Sequence, residues 1–388
     1  VEPIAITPVT GGSLDPADVI GRDTQIIEAL RLLREGNDLV INDPRRMGKT
    51  ALLDRLCNEP GLDTLAVKID YEGVASADEF VLRTVKAIRS NQPTWKRVEG
   101  AIAAFVDDVD AKKGPISIKA SFKRKPAQEL LIDLIERIDD KLVGDELLVV
   151  AMDEVTIGIQ NIARSESPAA ANQLLQALRR VRQASTSIRW IVTGSVGFHH
   201  VIRQSESTEG VINDLTELPV GPLSSSDAAF LTTCLVTGID RQIEPDQVKI
   251  VVDRSGAIPF IIHHVVHRLR SFEQQVTTDE VERAFEQFFG DRDASRALTH
   301  LLTRIDAYWG DDQKVVRSIL DTVAIAGPVT SVDLCERVED ERLEDRDEYL
   351  RIMNGLVDDH YIVKDDGCWR WRYDVLRLVW IRRRELDS

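Results

Sequence analysis

The chain has 388 residues, room for two or three cores, and its 43% hydrophobic and 29% charged content is that of a globular protein. Its net charge of −16 argues against general nucleic-acid binding, since nonspecific affinity for phosphate backbones comes from Lys and Arg. No apolar stretch approaches membrane-span length, nothing at the start resembles a signal peptide, and the four scattered cysteines suggest neither a zinc site nor a disulfide framework.

Reduced thiols and a cytoplasmic location are expected from Cys57, Cys234, Cys335 and Cys368. Residues 1–18 are rich in Pro, Gly and Thr and aperiodic, and read as an arm. Residues 23–35 place Ile26, Ile27, Leu30 and Leu33 on one helical face. Next, NDLVINDPRRMGKTALLDRL (37–56) gives an apolar strand (Asp38–Asn42), a tight loop ending in Gly48-Lys49-Thr50, and a helix (Lys49–Cys57). That is the layout of a phosphate-binding loop, in which a helix start presents unpaired N–H groups and a positive dipole end to a polyphosphate. Lys49 would reach the β- and γ-phosphates, and the Thr50 hydroxyl would take one Mg²⁺ position. The loop departs from G-x-x-x-x-G-K-[ST] at its first glycine, which here is Asp43. A carboxylate beside phosphates is repulsive unless something pairs with it, and Arg45 and Arg46 are the nearby candidates.

A strand at Leu65–Asp70 and a helix at Ala77–Arg89 follow. Residues 95–125 read as an insertion, a helix plus a β-ribbon that alternates after Gly114-Pro115. Lys112, Lys113, Lys119, Lys123, Arg124 and Lys125 make it locally basic; a solvated ribbon is the plainer reading and a partner contact the alternative. A helix at 127–141 leads into Leu147–Met152, an unbroken apolar run that ends in Asp153-Glu154. Such a run is a strand buried on both faces of a parallel sheet, its acidic end at the edge where ligands bind. Asp153 can hold the Mg²⁺ water shell and Glu154 can polarise a water against the γ-phosphate. A helix at 169–184 precedes a strand, Ile188–Thr193, that ends in Gly194-Ser195; its hydroxyls would fall beside the other two strand ends, where a polar side chain such as Ser195 can sense the γ-phosphate or the attacking water. Asp214–Val220 would be the last strand, and the strand–helix alternation means a parallel sheet.

From Ser224 the chain turns helical. Ser224–Asp227 opens one helix with capping chemistry, Pro245–Arg254 is a second, and Pro259 begins a third just after a break at Gly256. His263 and His267 share a face of that helix; a metal pair is conceivable, but no acidic or Cys partner has matching spacing, and packing is the better reading. After Thr299–Trp309 come helices at 313–325, 331–338 and 346–359, then two alternating runs, Tyr361–Lys364 and Cys368–Tyr373, joined by Asp365-Asp366-Gly367. Helices followed by a hairpin with an Asp-Gly turn form the winged-helix pattern. Its third helix carries Asp347, Glu348, Asp358 and Asp359, so phosphate repulsion opposes insertion into a DNA groove. Arg370, Arg372 and Arg382–Arg384 are better suited to acidic neighbours or a protein partner.

Several of these segments together resemble the P-loop ATPases of the AAA+/STAND border, the archaeal-type ATPase family in its bacterial-like form. They are Val19–Asp23, the PRRMGKT loop, VVAMDEV, Ile191–Gly197, Leu218–Leu223, Ser255–Pro259 and the closing WRYDVLRLVWIRRREL, spanning residues 19 to 386. The expected fold is an α/β P-loop NTPase with an ASCE/AAA+-like parallel-sheet core, a helical lid and a C-terminal winged-helix domain. Its divisions would be an arm (1–18), the ATPase core (19–223, with the basic insertion at about 95–125), the lid (224–310) and the winged helix (311–388). AAA+ proteins often place an arginine early in the lid helix that begins here at Pro259. Arg268 and Arg270 stand two turns or more along, which favours the STAND-like side.

The resemblance implies a Mg-ATP-binding regulatory ATPase whose slow hydrolysis resets a change of conformation, assembly or partner. ATP or ADP would contact Ile20, Gly21, Arg22, Arg45, Arg46, Met47, Gly48, Lys49, Thr50, Ala51 and Pro259. Mg²⁺ would sit at Thr50 and Asp153. Glu154, Lys49, Ser195 and Arg203 would be catalytic, Arg203 as an arginine finger toward a neighbouring copy. Partners would be ATP and either further copies or a separate effector protein, with no membrane and with DNA disfavoured. The alternatives are a DNA-bound initiator or transposition-type ATPase that uses the winged helix, and a nucleotide-binding scaffold without turnover, which Asp43 leaves open.

Overall fold

A computed structural model of the chain describes residues 2–59, 64–90, 96–110, 125–194, 197–207, 209–291 and 303–386. It falls into two compact units, an α/β unit (Arg22–Asp43 and Lys49–Val220) and a helical unit (Val1–Gly21, Pro44–Gly48 and Gly221–Ser388).

The α/β unit runs α1 (Asp23–Arg34), β1 (Asp38–Ile41), α2 (Lys49–Asn58), β2 (Thr64–Asp70), α3 (Ala77–Ser90), α4 (Lys96–Asp110), α5 (Ala127–Asp139), β3 (Leu147–Asp153), α6 (Val155–Ser165), α7 (Pro168–Ala184), β4 (Ile188–Thr193), α8 (Phe198–Gln204) and β5 (Leu215–Glu217). The strands form one sheet in the order β2-β3-β4-β1-β5, and every pair is parallel. All seven residues of β3 are buried, as its unbroken apolar run requires of a central strand covered on both faces. The basic ribbon expected near 114–123 lies outside the described residues, while its preceding helix is α4.

The last strand is shorter than the expected Asp214–Val220, for a physical reason. Leu218 N–H still continues the ladder to Val40 C=O at 2.9 Å, but Pro219 has no N–H to offer, and regular pairing stops. Helices α6 and α8 have no counterpart in the sequence reading. Val155-Thr156-Ile157-Gly158-Ile159 is β-branched and carries a glycine, so it looks like more strand. Gly158 packs against Tyr71, where a side chain would be in tight contact.

In the helical unit, α9 (Ser225–Gly238), α10 (Pro245–Ser255), α11 (Pro259–Leu269) and α12 (Thr278–Gly290) pack together. Helix α12 opens with a reciprocal capping box between Thr277 and Glu280, a signal present in the sequence but not used there. The C-terminal part combines helices at Gln313–Ala326, Ser331–Val338 and Arg346–Asp358 with a three-stranded sheet of order β6-β8-β7; β6 (Val329–Thr330) lies between the first two of these helices, and β7 (Ile362–Asp365) and β8 (Cys368–Trp371) follow the third. Asp366 and Gly367 both take positive φ, 46° and 80°, the signature of the tight hairpin turn that an Asp-Gly pair favours. A final helix, Asp374–Arg384, closes the chain. One continuous apolar core runs from Ile6 and Met47 through α9–α12 to Trp371 and Trp380. No helix among the described residues is long and apolar enough to cross a membrane.

Candidate functional site

The Gly-Lys-Thr loop sits where the sequence places it, between the end of β1 and the first turn of α2. Gly48 has a φ of 92°, a region that L side chains avoid, which explains glycine at this loop position. Arg46 takes a φ of 75° without being glycine, a strained conformation that the surroundings must over-determine. Two contacts do so within the helical unit: the Arg46 guanidinium lies 4.7 Å over the Phe260 ring, and the neighbouring Met47 is fully buried in the apolar core. Lys49 is only 5% exposed, and its Nζ donates to the Asp43 carbonyl, so the ammonium is folded back over the loop it belongs to. Thr50, in the first turn of α2, is exposed; Ala51 follows half-buried.

The sheet register brings the other candidates to the same edge. Ile41 pairs with Thr193 and Val192 with Met152, so the ends of β1, β4 and β3 form one row. In that row the Thr193 hydroxyl donates to Asp153 Oδ1 at 2.6 Å and accepts from the Glu154 N–H at 3.2 Å. Asp153 is 3% exposed and Thr193 fully buried, so this hydroxyl is what holds a buried carboxylate in place. Glu154 then turns the chain out of the strand in the left-handed region (φ 52°, ψ 35°) and starts α6. Gly194 comes next to Thr193, and a Cβ there would run into Thr156. Ser195, the residue singled out from the Thr-Gly-Ser run, lies outside the described residues; among the described residues Thr193 places a hydroxyl at this strand end, a partner of Asp153 that the sequence did not single out.

Asp43 is 6% exposed, and its Oδ2 accepts from the Val220 N–H at 2.8 Å. The Arg22 guanidinium, 1% exposed, donates to the Val220 carbonyl at 2.7 Å. Sequence reasoning weighed Asp43 as a repulsive carboxylate and Arg22 as a nucleotide contact, and neither link to Val220 could have been read without the fold. Of the other candidates, Ile20 packs against the core of the helical unit, Gly21 has a φ of 73° close to Asp227, and Pro259 is the first residue of α11. Arg45 is half-buried, and Arg203 is exposed on α8.

The histidines of α11 are built into packing. His263 Nδ1 accepts from the Val9 N–H at 3.1 Å, and burial pushes His263 down to about 4, so it stays neutral. Burial and then the charge of Arg268 lower His264 to about 4 as well; its ring lies 4.3 Å from that of Phe260.

No protein-family model and no curated protein matches the chain. Solved structures do. A Walker-type ATPase of Pyrococcus abyssi matches with a TM-score of 0.66 at 15% identity, covering 94% of this chain and 96% of that one. The Aeropyrum pernix ORC2 protein, solved as ADPNP-ADP complexes, matches with a TM-score of 0.57 at 14% identity, covering 97% and 98%. Likeness at such identity speaks to architecture and not to residue roles. Over nearly its whole length, the chain has the fold of the P-loop AAA+ ATPases.

Proposed function

We propose that the chain is a Mg-ATP-binding regulatory ATPase in which nucleotide binding and slow hydrolysis drive a change of conformation, assembly or partner. The observation that carries this reading is the row at one sheet edge, where the loop ending in Lys49, the Asp153–Thr193 pair and Glu154 stand at the ends of β1, β3 and β4. A polyphosphate on the loop would meet the backbone N–H groups of residues 45–50 and the Lys49 ammonium. Thr50 and Asp153 supply the hard oxygen donors that Mg²⁺ requires, and the ion when bound neutralises charge on the phosphates. The fit is supported by Asp153 being held by a neutral hydroxyl through one oxygen, which leaves its charge uncompensated by that contact. Glu154 would orient and polarise water, Ser195 would sense the γ-phosphate, and Arg203, on an exposed face, would serve a neighbouring copy. Ile20, Gly21, Arg22 and Pro259 are proposed as contacts of the base and ribose, Arg22 through its main chain because its guanidinium is directed to Val220.

The ADPNP-ADP complexes of the ORC2 protein support ATP and ADP as the ligands. That likeness also keeps open the initiator-type alternative, with the C-terminal helices and hairpin as a winged helix on DNA. Several arginines of that segment face acids instead: Arg370 with Asp365 at 3.1 Å, Arg351 with Asp312 at 2.9 Å and Glu348 at 2.6 Å, and Arg384 with Asp321 at 2.6 Å. We therefore assign the segment to protein contacts, with further copies or a separate effector as the partner. The deciding experiment identifies the nucleotide released from the purified, denatured protein and measures mass in solution with and without ATP. Bound adenine nucleotide and a nucleotide-dependent mass or shape are expected; a protein that neither retains nor binds ATP would remove the reading.

A further inference from the structure

We infer that Asp43 is a positioning residue for the phosphate loop and acts through a buried clasp on the backbone of Val220. The inference rests on the phosphate-loop reading above and explains why an aspartate stands where such loops usually begin with glycine. It begins with Pro219. Because that residue has no N–H, the ladder between β1 and β5 ends at the Leu218–Val40 bond, and the next donor, Val220 N–H, is left to find another acceptor. The Asp43 carboxylate takes it at 2.8 Å, and the Arg22 guanidinium takes the Val220 carbonyl at 2.7 Å. Both polar backbone groups of one residue are thus held by side chains of opposite charge, and all three residues are buried. A charge-assisted bond in such surroundings is stronger than a neutral one and costly to leave unmade.

The same aspartate also holds the lysine. Its carbonyl accepts from Lys49 Nζ, so Asp43 fixes the end of β5 with its side chain and the phosphate-loop ammonium with its main chain. The sequence positions of the four residues make the point sharper. The chain leaves or enters the α/β unit after Gly21, after Asp43, after Gly48 and after Val220. Arg22, Asp43, Lys49 and Val220 are the α/β-unit residues at those four passages, and hydrogen bonds link them in one series. Glycine at position 43 would supply backbone freedom and keep the carbonyl that accepts from Lys49, but would offer no side-chain acceptor to the Val220 N–H, so this loop is held by a bond where others rely on flexibility. The carboxylate is turned onto a backbone donor and is not simply a charge set against the phosphates.

The test uses the full chain, with Mg-ATP as the probe, and compares Asp43→Ala, Asp43→Asn and Lys49→Ala. The asparagine oxygen can still accept from Val220 N–H, whereas alanine cannot. Asp43→Ala should weaken ATP binding about tenfold, the scale of one buried hydrogen bond to a charged group, while Asp43→Asn stays within about threefold of wild type. Hydrogen exchange at the Val220 amide should be slow in wild type and in Asp43→Asn, and fast in Asp43→Ala. A role confined to charge near the phosphates would make the asparagine and alanine variants behave alike. The clasp is overturned by wild-type affinity in Asp43→Ala, by Asp43→Asn as weak as alanine, or by free exchange of the Val220 amide in the folded wild-type protein. That last measurement decides the matter even if the alanine variant fails to fold. Unchanged ATP affinity in Lys49→Ala would remove the phosphate-loop reading itself, an outcome distinct from the loss of ATP in Lys49→Ala with retention in Asp43→Ala.

Discussion

The strand-end row of the α/β unit and the C-terminal sheet of the helical unit both set charged side chains beside β-structure, with opposite consequences. In the row, Asp43, Lys49 and Asp153 are 6%, 5% and 3% exposed, and each is tied to a neighbour's backbone or hydroxyl. Along the C-terminal hairpin, Arg370 and Asp365 pair across side chains that are 44% and 56% exposed. Water solvates and screens the second kind of pair, which contributes little. The first kind has left water and depends on its partners, so one substitution reaches several residues. The apolar cores differ in the same sense. The C-terminal segment closes over indoles whose N–H groups are all matched: Trp369 to Tyr349 Oη at 2.9 Å, Trp371 to Leu320 C=O at 3.3 Å and Trp380 to Asp321 at 2.8 Å. Polar groups there complete the packing, whereas at the strand ends they are gathered at one edge.

The contrast would break most visibly at Glu154. Glu154→Gln should keep nucleotide and reduce turnover by about 10²–10⁴-fold, the usual contribution of a positioned general base. The amide preserves shape but cannot polarise water as a carboxylate does. Phosphate release measured beside ATP affinity checks this; wild-type turnover would make Glu154 an ordinary strand end, held in its left-handed turn for packing alone. Lys49→Ala comes next. Losing its charge-assisted contact in a partly dry site should weaken ATP binding by about 2–4 kcal/mol, which abolishes tight binding. Calorimetric titration reads it directly.

Thr193→Val sharpens the comparison from inside the row. Valine matches the shape but removes the hydroxyl that donates to Asp153 and accepts from Glu154 N–H. Removing the hydroxyl from the buried Asp153 carboxylate should cost about 1–3 kcal/mol of stability, and turnover should fall because the half-buried Glu154 loses its bond to Thr193. If both melting temperature and turnover stay at wild-type values, the row is not a coupled unit.

How much of this was legible in the sequence follows from the range of each interaction. The loop, its helix and the acidic end of β3 are each local signals: Gly48-Lys49-Thr50 lies within a few residues of the β1 run, and Asp153-Glu154 directly ends the β3 run, so these elements fall close to where periodicity puts them. The Asp-Gly hairpin is local too. Thr193 as the partner of Asp153 is not, because that contact exists only once β4 lies beside β3, and the sheet order is not written in any one segment. Asp43 on Val220 joins residues 177 positions apart, and Arg22 on Val220 joins residues 198 apart. Pro219 was the available clue, since it announces a ladder that must stop and an N–H beyond it that needs an acceptor. Helix α6 was missed because its β-branched start favours a strand by propensity, and tertiary packing against Tyr71 and β4 overrides that preference.

The smallest effects belong to the exposed arginines of the C-terminal segment, and they separate the two functional readings. Arg370→Ala should change stability by less than about 0.5 kcal/mol, because the Asp365 pair it breaks is solvated and costs side-chain entropy to maintain. It should change DNA binding no more than that. The helix Arg346–Asp358 presents Asp347 and Glu348 in its first turn, where a recognition helix would approach phosphates, and its Arg351 is engaged by Asp312 and Glu348. A sequence-specific DNA protein holds its site at about 10⁻⁸ M or tighter at physiological salt. Titrating the full chain, with and without Mg-ATP, against random and genomic duplex pools at that salt should give only weak binding that further salt erases. Arg370→Ala should leave this background unchanged, since one exposed and already paired cation adds little to a chain of net charge −16. Tight, sequence-selective binding that Arg370→Ala weakens would reverse the comparison: the exposed pairs would be docking contacts held in reserve, the hairpin would read DNA, and the initiator-type alternative would replace the protein-directed switch.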